Sequence, residues 1–466
     1  MTDDSGNTIA ASLFRAYDIR GVVGETLTTE AVYTIAQAFA AEAAARGQDR
    51  AVVGRDGRLS GPELLGALRD GLIAGGMQVI DIGPVPTPVL YYATVALRTG
   101  TGIVLTGSHN PPNYNGMKMM IDGDTLSGDA IQALYRRIVN DQLAHGEGSV
   151  TQIGDFAETY LKRVFDDVHL ARPLRIAIDC GNGITGALAP QLFEGLGCEV
   201  HPLYTEVDGN FPNHHPDPSK PENLADLIDC VRTNGLDVGF AFDGDGDRLG
   251  VVDSHGQVIW PDRQMILYAR AVLKERPGAK IIYDVKCSSH LAKAIADAGG
   301  EGEMWKTGHS FIKGRMREVD AQLGGEMSGH IFFRDRWPGF DDGLYAGARL
   351  LELLAADERS SEQVFGDLPD SVNTPELNIP FAEEGAHFAF MEKFGDVAEF
   401  PDARSVIRID GLRVDYADGW GLARPSNTTP VVVTRFEADT QKALDRIQNA
   451  FREQMLKIDP NLKLPF

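Results

Sequence analysis

Short apolar runs alternate with amphipathic segments in three places along the chain. The first copy runs from AVVGRDGR through GPELLGALRDGLIAGG to MQVIDIG, and the second from RIAIDCGNG through ITGALAPQLFEGLG to CEVHPLY. The third runs from KIIYDVKCS through SHLAKAIADAGG to EGEMWKTG. Strands that alternate with helices of this length form βαβ units and mixed or parallel sheets. Because solenoid repeats are shorter than a spacing of about a hundred residues, the copies predict three similar α/β domains.

After about residue 370 the pattern changes. The apolar runs SVIRIDGLRVDY, WGLARPS and PVVVTRFEA are joined by turn signals such as DGL and ADGWG, and the amphipathic run TQKALDRIQNAFREQML comes last. This order predicts an α+β domain of another kind. The predicted fold class is therefore α/β, with three similar mixed-sheet α/β domains and a C-terminal α+β domain. The predicted domain bounds are 1–155, 156–256, 257–370 and 371–466.

Length and charge narrow the class of protein. A chain of 466 residues is too long for one hydrophobic core, and its 43% hydrophobic and 24% charged residues are typical of a globular protein. Asp and Glu number 67 against 44 Lys and Arg, so the formal net charge is −23. This charge argues against nucleic acid or an anionic membrane as a partner. An anionic substrate would need a local basic site inside this acidic protein.

Two further features bear on the compartment. The N-terminal MTDDSGNTIAASLFRAYDIRG is acidic where a signal peptide is basic, and no stretch has the apolar length that spans a bilayer. The cysteines lie far apart without a CxxC motif, so neither a disulfide framework nor a zinc site is indicated. They are Cys180, Cys198, Cys230 and Cys287. We expect a cytoplasmic protein.

Three aspartates alternate with glycines in the stretch FAFDGDGDRLGVVD. In an extended strand Asp243, Asp245 and Asp247 would face one side, and the glycines would let the backbone bend around an ion. Carboxylates this close repel one another unless a divalent cation lies among them, and oxygen ligands favour Mg²⁺. An EF-hand is excluded, because the positions that need Gly and Glu hold Arg248 and Ser254. The aspartates therefore predict a Mg²⁺ site.

Two neighbouring signals each have more than one interpretation. Arg248 either holds a phosphate beside the metal or compensates the charge of Asp247. The run GNGITG has the form of a dinucleotide-binding fingerprint. The same strand–turn–helix pattern recurs twice without those glycines, and a nicotinamide site would leave the aspartates unexplained. Tight turns are therefore the favoured interpretation of these glycines.

The stretch TGSHNPPNYNGMK closes the apolar run TGIVL with turn-forming residues and two prolines. It is either a surface turn or a rigid loop that presents Ser108 as a nucleophile. Neighbouring side chains along a strand point to opposite faces, so we do not expect Ser108 and His109 to form a nucleophile–base pair. The prolines would instead fix the loop, so that the serine oxygen stays aimed at its reaction partner.

Three more polar stretches carry candidate binding residues. GGEMSGHIFF either binds the hydroxyls of a ligand or is a glycine-rich turn. KTGHSFIKGRM places a histidine and a lysine where a loop enters a predicted helix, a position that favours anions. GLARPSNTTP is either a phosphate cradle or a polar turn between prolines. The residues concerned are Glu326, Ser328 and His330, then His309 and Lys313, then Arg424, Ser426, Asn427, Thr428 and Thr429.

TGSHNPPNYNGMK, FDGDGDR, GGEMSGH and RPSNTTP occur in this order, and together they resemble the motifs of the α-D-phosphohexomutase superfamily. The likeness is greatest to the bacterial phosphomannomutase/phosphoglucomutase branch and extends from AYDIRG to the C-terminal domain. It implies four domains around a central cleft, of which the first three share one topology. It also implies an enzyme that moves phosphate reversibly between C1 and C6 of a mannose and/or glucose phosphate.

The resemblance implies a role for each matching residue. The implied catalytic residues are Ser108 as phosphoserine, His109, Lys118, Arg248 and Arg20. The implied substrate-binding residues are Tyr17, Lys286, His309, Glu326, Ser328, His330, Arg424, Ser426, Asn427 and Thr428. The implied metal ligands are Asp243, Asp245, Asp247 and the phosphate on Ser108.

The resemblance further implies Mg²⁺ and a hexose 1,6-bisphosphate as cofactors, the latter as bound intermediate and activator. Sugar phosphates would be the partners, and we expect a monomer. Three alternatives stay open. Some phosphoglucosamine mutases carry a similar GExSGH, and an apolar strand before DGD also fits a dehalogenase-type phosphotransferase with Asp243 as nucleophile. The third is a sugar-phosphate-binding protein without turnover.

Overall fold

A computed structural model of the chain describes residues 9–383, 385–427 and 429–466. Its strands form four sheets that follow one another along the sequence. The elements up to Gln152 are β1 (Ile19–Val22), α1 (Thr29–Ala45), β2 (Arg50–Arg55), α2 (Gly61–Ala74), β3 (Gln78–Pro84), α3 (Thr87–Ala96), β4 (Gly102–Leu105), β5 (Tyr114–Ile121), β6 (Asp124–Thr125), α4 (Asp129–Val139) and β7 (Ser149–Gln152).

The second and third sheets are shorter. The elements that form the second are α5 (Phe156–Asp167), β8 (Arg175–Asp179), α6 (Ala189–Gly195), β9 (Glu199–Leu203), α7 (Ala225–Asn234), β10 (Val238–Phe242), β11 (Leu249–Asp253) and β12 (Val258–Ile259). Those of the third are α8 (Pro261–Glu275), β13 (Lys280–Asp284), α9 (Ser289–Asp297), β14 (Glu301–Trp305), α10 (His309–Val319), β15 (Leu323–Gly325), β16 (Ile331–Phe333), α11 (Gly343–Ala356) and α12 (Ser361–Gly366).

One four-strand unit recurs in these three sheets. In the first sheet β2 pairs in parallel with both β3 and β4, and β5 runs antiparallel on β4. β8 pairs in the same way with β9 and β10, and β11 is antiparallel on β10. β13, β14, β15 and β16 repeat the arrangement. The predicted repeat of three similar α/β domains is confirmed.

The fourth sheet is antiparallel throughout. Its elements are β17 (Val372–Asn373), β18 (Leu377–Pro380), α13 (Ala386–Val397), β19 (Ser405–Ile407), β20 (Leu412–Asp415), β21 (Gly419–Pro425), β22 (Val431–Ala438) and α14 (Gln441–Ile458). Both β17 and β18 pair with β22, which continues through β21 and β20 to β19. The predicted C-terminal α+β domain, and with it the fold class, is confirmed.

The first three sheets share one continuous hydrophobic core, whereas the fourth has its own. Aromatic rings join the first and third units: Trp337, which stacks on Tyr345 of its own unit with ring centroids 4.1 Å apart, also stacks on Tyr92 of the first unit at 5.6 Å. The fourth unit meets the third through a small apolar cluster of Val285, Trp420 and Leu422, and through polar contacts such as those from Arg413 to the carbonyls of Val285 and Cys287. Since parallel strands end at one edge of a sheet, this shared core holds the loops after β4, β10 and β15 in fixed positions.

The glycines of GNGITG serve close packing. A Cβ at Gly183 would lie 2.9 Å from the carbonyl oxygen of Gly244, and one at Gly186 would lie 2.1 Å from that of Thr205. After them a short 3₁₀ turn, Ile184–Ala187, precedes α6, so the predicted long helix is broken into two pieces. Gly183 therefore lets its turn lie directly against the loop that carries the three aspartates, and Gly186 lets the same turn pack against the backbone of Thr205. No helix in the described part of the chain is both long and apolar enough to cross a bilayer.

The buried carboxyl of Asp342 makes stability depend on pH. It caps the first turn of α11 by accepting from Tyr345 N, and it accepts the Tyr160 hydroxyl at 2.9 Å and Trp337 Nε1 at 3.2 Å. Burial raises the pKa of Asp342 to about 7. Between pH 4 and 7 the folded state therefore holds a proton that the unfolded state has released, so this group stabilises the fold less as pH rises.

We expect the free energy of unfolding to fall from pH 5 to pH 7 by roughly 1 kcal/mol per pH unit more in the native chain than in Asp342→Asn, which cannot titrate, and the two curves to run parallel above about pH 8. Urea denaturation at half-unit steps of pH measures the two slopes. Asp226→Asn, which removes an exposed carboxylate, is the control and should keep the native slope. Parallel slopes for the native chain and Asp342→Asn would contradict the assignment.

Candidate active site

Four loops, one from each sheet, meet in one place. They follow β4, β10, β15 and β21 and carry the four sequence motifs. Ser108 Oγ in the first donates to Asp243 Oδ2 in the second at 2.9 Å. Arg248 Nε donates to His330 Nε2 of the third at 3.0 Å. The Asn427 side chain of the fourth hydrogen-bonds Tyr17, which precedes β1.

The Ser108 loop differs from the sequence-based expectation in one respect. Ser108 Oγ lies 3.1 Å from His109 Nδ1, so the prediction that these side chains point apart was wrong. The strand ends at Leu105, and Ser108 has a left-handed backbone with φ 48°, so the alternation of side chains along a strand does not apply there. Burial lowers the pKa of His109 well below its usual range, and the charges of Arg248 and Arg20 lower it further. The imidazole is therefore neutral.

The three aspartates converge as predicted, although for another reason. They lie in the hairpin loop between β10 and β11, and not along a strand, and the loop turns at Gly246, whose φ is 80°. One carboxylate oxygen from each of Asp243, Asp245 and Asp247 lies within 4.8 Å of the others, and all three residues are fully buried. The carboxylates are therefore close enough to share one cation.

The donor set fits a hard divalent cation. Within the described residues, Asp245 Oδ1 and Asp247 Oδ1 are buried without a hydrogen-bond partner. Such oxygens are costly unless a cation or water satisfies them, and an all-oxygen set selects a hard ion. Burial and then the neighbouring charge of Asp245 raise the pKa of Asp243 and of Asp247. The negative charge of the three carboxylates is therefore not fully balanced by the protein, and a bound metal ion would balance it.

Lys118 supplies part of the balancing positive charge. Its Nζ donates to Asp245 Oδ2 at 2.7 Å and to Asp247 Oδ2 at 2.5 Å. Burial alone would lower the pKa of Lys118, but the two carboxylates outweigh it and raise the pKa. Thr87, which has no motif around it, donates from Oγ1 to Asp245 Oδ2 at 2.6 Å. The lysine thus stays charged beside the Ser108 loop.

The GEMSGH loop is buried and is hydrogen-bonded, through His330 and Arg248, to the loop that carries the three aspartates. Glu326 is only 1% exposed, accepts from Gly308 N and receives the Ser328 hydroxyl at 3.4 Å. Burial raises the pKa of Glu326. His309 begins α10, as predicted, and its ring stacks on that of His330 with centroids 5.4 Å apart. Burial lowers the pKa of His309 well below its usual range, so this ring is neutral.

Asp341 was missed by the sequence analysis. Its carboxylate lies 3.1 Å from His330 Nδ1 and 3.6 Å from His309 Nδ1, and it accepts Lys313 Nζ at 2.8 Å. Lys313 also lies 4.2 Å from the centre of the Tyr91 ring. Lys313 is therefore bound to Asp341 and packed on a ring, and does not stand free as an anion site.

Carboxylates of the fourth unit hold two cations, Arg424 of the same unit and Lys286 of the third. Arg424 Nε donates to Asp410 Oδ2 at 2.9 Å, and the same oxygen accepts Thr307 N from the third unit at 3.0 Å. Lys286 Nζ donates to Glu376 Oε1 at 2.7 Å. Asp410 and Glu376 have no motif of their own in the sequence.

Other predicted residues of this region lie close by. Ser426 Oγ and Thr429 Oγ1 are 3.1 Å apart, and Thr428 lies outside the described residues. Tyr17 packs against His309 at 5.9 Å, and burial raises its pKa. Arg20 hydrogen-bonds Asn110 and Asp18 and opens on a cavity of about 370 Å³ that His109 also lines. Arg20 therefore lies at an opening beside the Ser108 loop.

Family models match almost the whole chain. Domain I of the phosphoglucomutase/phosphomannomutase models, an alpha/beta/alpha domain, matches residues 11–145, and domain II matches 156–256. Domain III matches 260–372, and the C-terminal domain of the same family matches 376–454.

Curated relatives and a solved structure are similar over their full lengths. The phosphomannomutase/phosphoglucomutase of Pseudomonas aeruginosa is 54% identical over 466 residues, all of both chains. The phosphoglucomutase of Neisseria gonorrhoeae is 54% identical over 98% of this chain and 99% of its own. A phosphoglucomutase/phosphomannomutase family protein from Burkholderia thailandensis superposes with a TM-score of 0.93 at 53% identity, covering 98% of this chain and 100% of that one.

Proposed function

The chain belongs to the phosphoglucomutase/phosphomannomutase family, and we propose that it works through a phosphoserine at Ser108. It is an enzyme, a mutase that moves a phosphoryl group reversibly between C1 and C6 of a hexose phosphate. The phosphoglucosamine and dehalogenase-type alternatives are not favoured by relatives that are this similar. The observation that carries the proposal is Ser108 Oγ at 2.9 Å from Asp243 Oδ2, beside buried carboxylate oxygens that have no partner.

The proposed cycle has two transfers. In the first, the bond between Ser108 Oγ and phosphorus breaks and a bond forms between phosphorus and a hydroxyl oxygen of the bound sugar phosphate, while the proton of that hydroxyl passes to Oγ. The products are a free serine and a hexose 1,6-bisphosphate. The intermediate then turns end over end, and its other phosphate returns to Ser108. Phosphoryl transfer depends chiefly on positioning and charge neutralisation, which Lys118 and Arg248 would supply beside the serine. His109, neutral and 3.1 Å from Oγ, is placed to exchange a proton there.

We propose Mg²⁺ as the metal, held by Asp243, Asp245, Asp247 and the phosphate on Ser108. The support is the all-oxygen donor set with two buried oxygens that lack partners among the described residues. A bound Mg²⁺ would neutralise charge on the transferring phosphoryl group. Hexose 1,6-bisphosphate would serve as intermediate and as the activator that loads Ser108.

We propose that Glu326 and Ser328 bind the sugar hydroxyls O3 and O4. The two side chains are adjacent, and a carboxylate with a hydroxyl suits a pair of neighbouring hydroxyls. Residues that bind O3 and O4 do not sense the configuration at C2, which distinguishes glucose from mannose. The enzyme would therefore accept both sugars, in keeping with relatives named for each activity.

We propose that the phosphate left in place on the sugar binds a separate group of basic and polar residues. Arg424 and Lys286 lie on opposite units and hold the carboxylates of Asp410 and Glu376, which an incoming phosphate would replace. The further proposed members of this group are Tyr17, His309, His330, Arg20, Ser426, Asn427 and Thr428. A two-ended intermediate needs one such group for either phosphate.

The domain bounds 1–155, 156–256, 257–370 and 371–466 remain our proposal, as do a monomer and the cytoplasm. A monomer is supported by a site whose loops all come from one chain. The cytoplasm is supported by Cys180, Cys198, Cys230 and Cys287, which are all unpaired, as is usual in a reducing compartment. The first three units share a core, whereas the fourth has its own. The fourth unit could therefore move relative to the other three while the intermediate turns over in the site.

Phosphosite mapping by mass spectrometry tests the proposal. We expect a hydroxylamine-stable phosphate on Ser108 of the purified enzyme, and its loss on incubation with glucose 6-phosphate or mannose 6-phosphate. A hydroxylamine-labile phosphate on Asp243 would instead indicate the dehalogenase-type reaction. Discharge by glucosamine 6-phosphate alone would indicate the glucosamine mutase. If glucose 1,6-bisphosphate leaves no phosphate on the chain, the enzyme does not use a phosphoserine.

A further inference from the structure

Arg58, in the loop after β2, is bound to the backbone of the Ser108 loop at four points. Its side chain is fully buried. Nη2 donates to the carbonyl oxygens of Ser108 at 2.8 Å and Asn110 at 2.6 Å. Nη1 donates to those of Pro111 at 2.6 Å and Tyr114 at 2.9 Å. One guanidinium thus binds four carbonyls, three in the loop and one at Tyr114, the first residue of β5.

Arg58 is itself held in place from several sides. Its backbone N–H donates to Asp56 Oδ1 at 3.0 Å, and its Nε lies 3.3 Å from Asp56 Oδ2. The ring of Phe211, from the second unit, lies 5.2 Å from the guanidinium carbon. A Cβ on Gly107 would come within 2.4 Å of that carbon, so the guanidinium lies directly against the backbone of the serine loop. The planar group therefore has one position relative to this loop.

The contact matters because Ser108 has an unfavourable backbone conformation. A non-glycine residue at φ 48° needs surrounding contacts that impose it. Ser108 N donates to Thr106 Oγ1 at 2.8 Å, and the Ser108 carbonyl accepts from Arg58. On its other side that carbonyl lies against Gly244, where a Cβ would be only 2.4 Å away. Because the backbone N–H and carbonyl of Ser108 are both held, its Oγ is directed at the loop that carries Asp243, Asp245 and Asp247.

We propose that Arg58 is a positioning residue for phosphoryl transfer, which holds Ser108 in the left-handed conformation that aims Oγ at the aspartate cluster. This inference rests on the proposed function of Ser108. Arginine is required because its rigid fork presents several donors in one plane, whereas the lysine ammonium presents three donors around a point. No motif marks Arg58, since its partners lie about fifty residues away in sequence.

The test compares Arg58→Lys with the native enzyme and with Arg69→Lys. Arg69 is the matched control, because it is an arginine of the same unit whose one ion pair, to Asp81 at 2.8 Å, lies away from the serine loop. We expect Arg58→Lys to lower kcat about 100-fold with KM changed less than about threefold, because misplacement of a reacting atom by about 1 Å costs this much. Arg69→Lys should keep the native kcat.

The ³¹P resonance of the phosphoserine provides a second readout, which general destabilisation does not move. We expect it to shift in Arg58→Lys and not in Arg69→Lys, at a temperature where both are folded by circular dichroism. If Arg58→Lys does not fold, Asp56→Asn replaces it, because Asp56 accepts the backbone N–H of Arg58 and lies 3.3 Å from its Nε, and the amide nitrogen of asparagine would repel that N–H group. The same loss of kcat and shifted resonance are then expected, and a native kcat in Asp56→Asn overturns the proposal.

Either of two results overturns the positioning role. One is a native kcat and a native ³¹P resonance in Arg58→Lys. The other is an equal fall of kcat in Arg58→Lys and Arg69→Lys, which would reflect a general loss of structure in this unit. A native enzyme that never carries phosphate on Ser108 would refute the proposed function, and with it this inference. A phosphorylated native enzyme with an unaffected Arg58→Lys would refute the inference alone.

Discussion

Ser108→Ala is expected to lower the mutase rate at least about 1,000-fold and to leave the protein without a phosphoenzyme. The serine hydroxyl is the group that lies against the aspartate cluster, with Oγ 2.9 Å from Asp243 Oδ2. Alanine removes that oxygen, and with it the phosphate proposed as a metal ligand, but leaves the three aspartates and the sugar-binding loop in place. Sugar-phosphate binding should therefore stay within a few fold of native, because the residues proposed to hold the sugar and its fixed phosphate are on other loops.

Turnover with glucose 1-phosphate and mannose 1-phosphate, in the presence of glucose 1,6-bisphosphate, measures the loss. Ser60→Ala is the control: Ser60 lies in the same unit and accepts from Asn115 Nδ2 at 2.9 Å, outside the proposed machinery. It should keep native turnover and native phosphorylation of Ser108. Turnover by Ser108→Ala within tenfold of native, with phosphate found on Asp243, would move the nucleophile to the aspartate.

The strand pairing of β2, β8 and β13 was predictable, because it follows from hydrophobic periodicity that repeats along the chain. Each of these strands begins a βαβ unit. Because the connection between two parallel strands of a sheet is almost always right-handed, few other orders of the strands are possible. The aspartate cluster was predictable as well, because its three carboxylates lie within five consecutive residues, Asp243–Asp247. The reasoning from strand alternation did not describe its backbone, which is a hairpin loop. The same error placed Ser108 and His109 on opposite sides.

What could not be predicted are the partners that act across long sequence distances. Arg58 binds carbonyls about fifty residues ahead, and Asp341 joins His309 and His330 only because β15, β16 and α11 pack together. Glu376 binds Lys286 from a different unit, and Asp410 binds Arg424 from a different loop. Both cations belong to the residues proposed to bind the substrate's phosphate. No local pattern marks these four residues. Their roles follow from tertiary packing, which brings single charged side chains to buried places where they need partners.

The arrangement also explains how an acidic protein forms an anion site. The excess carboxylates are spread over the chain, whereas the cations of the candidate site lie in or beside its four loops: Arg20, Lys118, Arg248, Lys286 and Arg424. Each of these cations has a carboxylate or a histidine as neighbour. A substrate phosphate bound as proposed would therefore replace existing partners and would not neutralise free charge, which would limit unspecific binding of anions.

Removal of divalent metal is expected to abolish turnover, and Mg²⁺ is expected to restore it. Charge on a transferring phosphoryl group is stabilised by a metal by several kcal/mol, so chelation should cost at least about 100-fold in rate. The native protein should also melt at a higher temperature with Mg²⁺ than with chelator, because the ion binds the folded cluster of carboxylates and not the unfolded chain. Turnover and thermal unfolding, each with chelator and with Mg²⁺, measure both effects.

Asp247→Asn should lose both effects of Mg²⁺, and without metal it should be at least as stable as the native chain. Burial and the charge of Asp245 raise the pKa of Asp247, which shows that this environment opposes a charge there, and asparagine removes it. Asp226→Asn, which removes an exposed carboxylate of the same unit, is the control and should keep the native response to Mg²⁺. An Asp247→Asn protein that still melts higher with Mg²⁺ would place the ion elsewhere. An Asp247→Asn protein much less stable than the metal-free native chain would mean that Lys118 already balances the cluster.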